Sequence, residues 1–284
     1  PITKIINKNP KVLKKIIETE QIIKIMNRHN INHLPLLKNG IIISVYSLTD
    51  SINVIKKKNI FLIMAGGLGK RLHPLTKKNP KPMLKIYNKP MLEHLILAAK
   101  KHGFENIFIS VHYLKNKIIK YFKDGSRLGV KISYIIEKKP LGTAGSIKFT
   151  KNSTLPILIT NCDVVSNINY NDLMNFHLKN NADATMVIKY MEDVNPFGIV
   201  KVKKNLITEF VEKPKKSFLV NGGIYIINSN LRKYIKGKID MSIFLKFLIK
   251  KNKKVAAYAL YEHWADIGSK KILRDYKDKT YTKN

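Results

Sequence analysis

The first 58 residues show a helical period followed by two short β-rich runs. Apolar residues recur on one face between residues 18 and 30, which predicts an amphipathic helix. The two β-rich runs that follow are joined at Asn39-Gly40, a pair typical of a β-hairpin turn. Residues 47–58 then predict a second helix. Residues 1–58 are therefore predicted to form a small α+β module.

From residue 59 onward, the pattern changes to an alternation of buried strands and amphipathic helices. This alternation predicts an α/β domain over residues 59–284, with a Rossmann-like, mostly parallel sheet covered by helices on both faces. After residue 196 the strands become shorter and follow one another. The predicted helices cover residues 92–99, 115–123, 172–180 and 241–250, and the predicted strands cover residues 61–64, 107–111, 130–136, 155–160, 184–188, 199–202, 206–211, 223–227 and 255–261.

The most informative stretch follows the first strand of this domain. Residues 61–64 are apolar, and Gly66, Gly67 and Gly69 come directly after them. Glycines at this place let a phosphate group approach the main-chain N–H groups. Dense positive charge follows on a loop that three prolines keep non-helical. A strand, a glycine turn and a basic loop predict a site for a nucleoside triphosphate, although the stretch is neither a P-loop nor a Rossmann fingerprint.

The net charge of the chain is large, but it changes the predicted function little. The 284 residues include 53 Lys and Arg against 19 Asp and Glu, a formal net charge of +34, which invites a nucleic-acid hypothesis. The lysines are spread along the whole chain and are not gathered into one stripe. We therefore expect no specific nucleic-acid partner, and instead a cationic pocket for phosphorylated substrates.

The composition also indicates a compartment. No apolar run approaches the roughly 18 residues that cross a membrane, so no membrane insertion is expected. A single cysteine, Cys162, excludes an intrachain disulfide and fits a reducing environment. With no signal-peptide pattern at the N-terminus, the sequence predicts a cytoplasmic protein. The chain begins with Pro1 rather than Met, which suggests a piece of a longer protein.

Residues 65–84, AGGLGKRLHPLTKKNPKPML, resemble the signature GGxGxRLxPLTxxxPKPML of the sugar-phosphate nucleotidylyltransferases. The resemblance extends over residues 60–275 with five motifs in the family's order, and it implies the nucleotide-diphospho-sugar transferase fold. It implies that Arg71 neutralises the departing pyrophosphate and that Lys81 bridges phosphate oxygens, as the catalytic residues. Lys70 stands where the family usually has Thr or Ser. The nucleotide-binding residues implied in this stretch are Ala65, Gly66, Gly67, Gly69 and Lys70.

The same resemblance implies a magnesium site. Asp163 in ITNCDVV matches the first metal-binding aspartate of the family, and Asp266 in WADIG matches the second. Two carboxylates suit Mg²⁺, which fills its remaining positions with phosphate oxygens and water. We therefore expect Asp163 and Asp266 to hold the Mg²⁺ cofactor.

Two further motifs imply contacts to the base and to the sugar. Glu137, Gly142 and Thr143 belong to EKKPLGTAGS, which the resemblance places against the nucleobase. A carboxylate can accept from both donors on the Watson–Crick edge of guanine, so Glu137 favours GTP. The segments NPFGIV, EKP and NGGIY imply a sugar-phosphate site formed by Gly198, Glu212, Lys213 and Asn221.

These features together predict a sugar-1-phosphate guanylyltransferase, which transfers GMP from GTP to a sugar-1-phosphate with release of pyrophosphate. Three alternatives remain open: another nucleoside triphosphate, a mannose-, heptose- or glucose-1-phosphate acceptor, or a catalytically inactive regulatory protein that only binds nucleotides.

The N-terminal module resembles one CBS motif, with IxHLPLL followed by SVYSLTD. Its presence resembles the glucosamine-1-phosphate guanylyltransferases of legionaminic acid synthesis, so glucosamine-1-phosphate is the favoured sugar. Such motifs work in pairs, which implies either a missing partner motif or a homo-oligomer. The resemblance implies an adenine nucleotide at Asp50, whereas capping of a helix by Ser47 or Thr49 is the simpler interpretation of the same residues.

Overall fold

The computed structural model describes residues 9–17, 19–47 and 56–277. The chain divides into two compact units, residues 1–56 and residues 57–284. Within the described part of the chain, no helix combines the length and apolar character that crossing a membrane requires.

The described part of the N-terminal unit contains the first predicted helix and the predicted hairpin. Helix α1 (Thr19–Arg28) is followed by the antiparallel strands β1 (His33–Lys38) and β2 (Ile41–Ser47). Among the described residues of this unit, the buried hydrophobic cluster consists of Leu13, Ile22, Met26, Leu34 and Leu36.

The prediction of a second helix over residues 47–58 is wrong at both ends. Ser47 ends strand β2, and Lys57 already begins the first strand of the second unit. Leu48, Thr49 and Asp50 lie outside the described residues, so the suggested adenine-nucleotide contact at Asp50 stays a prediction.

The second unit is an α/β fold built around one large sheet. Its strands are β3 (Lys57–Met64), β4 (Lys85–Ile86), β5 (Lys89–Pro90), β6 (Phe104–Val111), β7 (Lys131–Ile136), β8 (Ile157–Asn161), β9 (Val164–Ser166), β10 (Ala184–Val194), β11 (Ile199–Lys203), β12 (Leu206–Val211), β13 (Lys215–Ile227), β14 (Val255–Ala259) and β15 (Trp264–Asp266). Its helices are α2 (Met91–Lys101), α3 (Lys115–Phe122), α4 (Gly142–Gly145), α5 (Tyr170–Lys179), α6 (Met241–Lys250) and α7 (Lys270–Lys277).

The central sheet has seven strands in the order β14-β10-β13-β8-β3-β6-β7. The pairs β3–β6, β3–β8, β6–β7 and β10–β14 are parallel, whereas β13 runs antiparallel to both of its neighbours. The predicted mostly parallel sheet is therefore confirmed. Because β3, β6, β7 and β8 run in the same direction, the loops after them leave the sheet at one edge.

Helices cover both faces of this sheet. Along β3, Phe61 and Ile63 join the core that contains Leu92 of α2, while Leu62 and Met64 join the opposite core with Phe244 of α6. Successive side chains of a strand point to opposite faces, which explains why a continuous apolar run is required here.

Strands β10 and β13 are longer than the sequence predicts. Strand β14 pairs with β10 only up to Ile188, and β8 pairs with β13 only from Ile224 onward. Beyond these points β10 and β13 continue as a two-stranded antiparallel ribbon. Strands β11 and β12, which lie between β10 and β13 in the sequence, form a separate hairpin.

Candidate active site

The glycine loop after β3 is held in place by Thr76. Gly69 has a φ of 63°, in the left-handed region that favours glycine. The buried hydroxyl of Thr76 donates to the Gly69 carbonyl oxygen at 3.0 Å. A Cβ on Gly69 would lie 2.9 Å from the Thr76 methyl carbon, so only glycine fits against this side chain.

A cavity of about 430 Å³ opens at the edge of the sheet where β3, β7 and β8 end. It brings together residues that the sequence separates widely. Of the predicted site, the cavity is lined by Gly66, Gly67, Gly69, Lys70, Arg71, Lys81, Glu137, Gly142, Thr143, Asp163 and Asp266. Ala65 is buried instead, and its N–H donates to the Ser110 carbonyl oxygen.

The two predicted metal ligands meet because β9 pairs with β15. Asp266 is the register partner of Val164, and the N–H of Ile267 donates to the Asp163 carbonyl oxygen at 2.9 Å. The strand character of β15 is not apparent from the sequence, since its three residues carry no alternating pattern. This short pairing places the two carboxylates in the same cavity.

Each carboxylate has a cation beside it. The Lys81 ammonium lies 2.5 Å from Oδ2 of Asp163. The Arg71 guanidinium lies against Gly268, where an added Cβ would be 3.3 Å from Nη1 of Arg71 and 3.0 Å from Oδ1 of Asp266. Burial and the neighbouring charge of Asp163 raise the pKa of Asp266, while Lys81 and Arg71 act in the opposite direction.

The donor set fits Mg²⁺. Among the described residues, three side-chain oxygens are buried without a hydrogen-bond partner, and two of them, Oδ1 of Asp266 and Oδ1 of Asn161, belong to residues that line the cavity. Unpaired buried oxygens are costly unless something else contacts them, and hard oxygen donors suit this ion. In the part of the chain that the structure describes, no group of three or more His, Cys, Asp or Glu side chains is placed so that it could hold a metal ion.

Glu137 makes more internal contacts than its position in the sequence indicates. Its carboxylate is buried and accepts a hydrogen bond from the Ser110 hydroxyl at 2.5 Å and another from the Leu141 N–H at 2.9 Å. A Cβ on Gly66 would lie 2.9 Å from Oε1, so this glycine allows the loop to approach the carboxylate. Glu137 therefore links β6, the loop after β7 and the glycine loop.

Thr143 lines the cavity but also caps a helix. Its hydroxyl oxygen accepts from the Met241 N–H at 2.8 Å, at the first turn of α6. Its own N–H donates to the Asp240 carboxylate at 3.2 Å. Gly142 lies close to the residues that precede α6, because a Cβ added to it would be 2.5 Å from the carbonyl oxygen of Ile239.

The predicted sugar-phosphate residues do not line the cavity. Gly198 and Glu212 lie next to each other at the ends of β11 and β12, where a Cβ on Gly198 would be 2.9 Å from Oε2 of Glu212. Lys213 is exposed beside Glu212. Asn221 lies on β13, and its side-chain oxygen accepts from the Gly223 N–H.

Sequence reasoning missed three residues that shape the site. Thr76 anchors the glycine loop, and Ser110 donates to Glu137. Asn161 lines the cavity, and its side-chain oxygen is buried without a hydrogen-bond partner among the described residues. Thr76 lies inside the PLT segment, and Asn161 directly precedes Cys162 in NCD, so both could have been found from their motifs. Burial raises the pKa of the Cys162 thiol, which packs as a neutral group.

Comparison with known proteins identifies the family of the chain. Residues 60–283 match the family model described as Nucleotidyl transferase. A relative from Oryza sativa subsp. japonica, "Probable mannose-1-phosphate guanylyltransferase 3", is 32% identical over 228 residues, which are 76% of this chain and 62% of that protein. The mannose-1-phosphate guanyltransferase of Debaryomyces hansenii is 33% identical over 223 residues, 74% of this chain and 61% of the relative.

Solved structures show the same fold. A putative glucose-1-phosphate thymidylyltransferase from Bacillus anthracis superposes with a TM-score of 0.64 at 21% identity, covering 79% of this chain and 96% of that one. HddC from Yersinia pseudotuberculosis, complexed with GMP-PN, gives a TM-score of 0.61 at 27% identity, covering 77% of this chain and 97% of that one.

The chain spans about three fifths of the length of the curated relatives that it matches. The family model covers nearly all of the second unit, including every residue that lines the cavity. The chain therefore belongs to the nucleotidyl transferase family.

Proposed function

We propose that the protein is a sugar-1-phosphate guanylyltransferase, which uses GTP and a sugar-1-phosphate to make a GDP-sugar and pyrophosphate. The observation that carries the proposal is the cavity at the sheet edge. It combines a glycine loop with the cations Lys70, Arg71 and Lys81 and with the carboxylates of Asp163 and Asp266, the groups that a triphosphate and its metal ion need. The curated relatives named for mannose-1-phosphate guanylyl transfer support the reaction class.

In this reaction a phosphate oxygen of the sugar phosphate forms a bond to the α-phosphorus of GTP. The bond from that phosphorus to the oxygen bridging the β-phosphate breaks, and pyrophosphate leaves. Catalysis rests on positioning and on charge neutralisation, so no protein nucleophile is required. Arg71 and Lys81 bind phosphate oxygens, and the N–H groups of Gly66 to Gly69 orient the triphosphate. Asp163 and Asp266 would hold Mg²⁺, which would supply positive charge to the phosphate oxygens.

The proposal also specifies the nucleobase and the sugar. Glu137 favours guanine because a carboxylate oxygen has capacity for a second donor beyond its internal hydrogen bond. The CBS-like N-terminal unit favours glucosamine-1-phosphate, as in legionaminic acid synthesis. The names of the curated relatives favour mannose-1-phosphate. Gly198, Glu212, Lys213 and Asn221 would contact the sugar phosphate.

A substrate panel tests the proposal directly. Four nucleoside triphosphates are combined with the 1-phosphates of glucosamine, mannose, glucose and heptose, and pyrophosphate release is measured with Mg²⁺. We expect the highest turnover efficiency with GTP and one preferred sugar. Higher efficiency with UTP or dTTP would overturn the guanine assignment. Nucleotide binding with no pyrophosphate release in any combination would favour a regulatory protein.

Three further expectations belong to the same proposal. The CBS-like unit would bind an adenine nucleotide near Asp50, the protein would form a homo-oligomer, and it would act in the cytoplasm.

A further inference from the structure

Lys81 contacts the carboxylate that is expected to hold the metal. Its ammonium lies 2.5 Å from Asp163, and only 10% of the Lys81 side chain and 18% of the Asp163 side chain are exposed. The stem of Lys81 packs against the glycine loop, since a Cβ on Gly69 would lie 3.2 Å from Cβ of Lys81. One flexible side chain therefore lies between the metal site and the phosphate site.

Three basic and three acidic residues line the cavity, since Lys70 and Glu137 join the four charged residues of the expected metal site. Lys81 lies beside Asp163, and Arg71 lies beside Asp266, so two cations face two carboxylates. A divalent cation that enters this cluster meets the positive charge of Lys81 and competes with it for Asp163. A triphosphate that enters brings several negative charges, which attract the ammonium toward the glycine loop.

We propose that Lys81 is the counter-ion of Asp163 in the ligand-free protein, and that nucleotide phosphates draw it away and release Asp163 for the metal. Metal and nucleotide then bind with positive coupling, and the metal alone binds weakly. The inference rests on the proposed function for the identity of the two ligands. It adds a second role for Lys81, beyond its contact with phosphate.

The competing explanation is a fixed structural ion pair. A fixed pair would also weaken metal binding, but the weakening would be the same with and without nucleotide, so nucleotide would raise the metal affinity equally whether or not position 81 carries a charge. The two explanations therefore differ in a binding measurement that needs neither turnover nor a sugar phosphate.

The test measures Mn²⁺ binding to the full chain without nucleotide. Electron paramagnetic resonance gives the concentration of the free ion. We expect Lys81→Met to bind Mn²⁺ about tenfold more tightly than the wild type, within the usual range of coupling between sites. Lys85→Met removes one exposed lysine on β4 and is the matched charge control, with an expected affinity equal to the wild type. Adding Asp163→Asn to Lys81→Met should abolish the gain, which assigns the gain to this carboxylate.

A second variant keeps the proposal testable if Lys81→Met does not fold. Lys81→Arg retains the charge and should bind Mn²⁺ as weakly as the wild type, whereas Lys81→Gln should bind it more tightly. A non-hydrolysable GTP analogue should raise Mn²⁺ affinity more in the wild type than in Lys81→Gln. Unchanged or weaker Mn²⁺ binding in the uncharged variants, or an equal effect of the analogue in the wild type and in Lys81→Gln, would overturn the proposal. Failure of guanylyl transfer alone would overturn only the proposed function, because this measurement does not depend on turnover.

Discussion

At the residue scale, the proposed metal site depends on Asp163 and Asp266. They come from distant parts of the sequence and meet through the pairing of β9 with β15. Both line the cavity, and one oxygen of Asp266 has no hydrogen-bond partner among the described residues. An amide in place of either carboxylate keeps the side-chain shape and removes the negative charge that Mg²⁺ requires.

We expect Asp163→Asn and Asp266→Asn each to lower turnover by several orders of magnitude while the fold is retained. Steady-state pyrophosphate release and circular dichroism measure the two effects. Asp193→Asn, at an exposed position on β10, is the control and should leave turnover unchanged. Near-normal turnover in a folded Asp163 or Asp266 variant would remove that residue from the metal site.

A substitution of Glu137 can test whether this residue recognises the nucleobase while its hydrogen bonds within the protein are kept. Glutamine can still accept from the Leu141 N–H through its oxygen, and its amide can donate to the Ser110 hydroxyl oxygen. Toward guanine, however, the amide presents a donor where a carboxylate presents an acceptor. We expect Glu137→Gln to lower the preference for GTP over UTP by about tenfold to a hundredfold.

The measurement for Glu137→Gln is the ratio of kcat/KM values for GTP and UTP. Ser110→Ala removes one internal hydrogen bond to Glu137 but keeps the carboxylate, so its ratio should stay close to the wild type. An unchanged ratio in Glu137→Gln would show that this residue only supports the loops around it.

At the scale of elements, the loop after β7 is joined to the start of α6. The Thr143 hydroxyl accepts from the Met241 N–H, which would otherwise lack a partner in the first helical turn. Asp240, at the N-cap position, makes no side-chain cap within its own helix. A residue from a distant segment therefore supplies the cap.

We expect Thr143→Ala to destabilise the second unit by about 1 kcal/mol, the usual effect of removing a cap. Thr143→Ser keeps a hydroxyl at this place and should retain most of the stability. Urea unfolding at neutral pH gives both values. Equal stability of the alanine variant and the wild type would contradict the capping role.

His177 connects α5 with β10 and with the turn after β13. Its Nδ1 lies 2.8 Å from the Thr185 hydroxyl, and its Nε2 lies 3.0 Å from the side-chain oxygen of Asn228. Burial lowers its pKa below the ordinary value of 6.5, while Asn228 and Asp183 act in the opposite direction. The folded protein therefore binds fewer protons at this site than the unfolded chain does.

The free energy of unfolding should consequently fall as the pH drops below about 6.5, where the unfolded chain gains a proton on this histidine first. His177→Gln can keep both hydrogen bonds and should show a smaller loss between pH 7 and pH 5. Denaturant unfolding at both pH values measures the difference. The same loss in the variant as in the wild type would assign the pH dependence to other groups.

At the scale of the whole molecule, local patterns predicted most helices and strands, but they did not predict the pairing of distant strands. Helix α3 and hairpin β1–β2 follow from the apolar period and from Asn39-Gly40, which are local signals. The antiparallel position of β13, between β10 and β8, depends on contacts between distant segments. The cavity residues were found from motifs, whereas Ser110 carries no motif and is identified only by its contact with Glu137.

The division into two units leads to the last prediction. All residues that line the cavity belong to the second unit, which has its own buried cores on both faces of the sheet. Its first strand begins at Lys57, whose N–H donates to the Gly103 carbonyl oxygen. A protein that starts at Lys56 should therefore keep the turnover per site of the full chain, while it loses any response to adenine nucleotides and any oligomer that depends on the N-terminal unit. Pyrophosphate release, together with size-exclusion chromatography and light scattering, tests both parts. A folded, soluble truncation without activity would show that the N-terminal unit is required for catalysis, which would contradict the independence of the second unit.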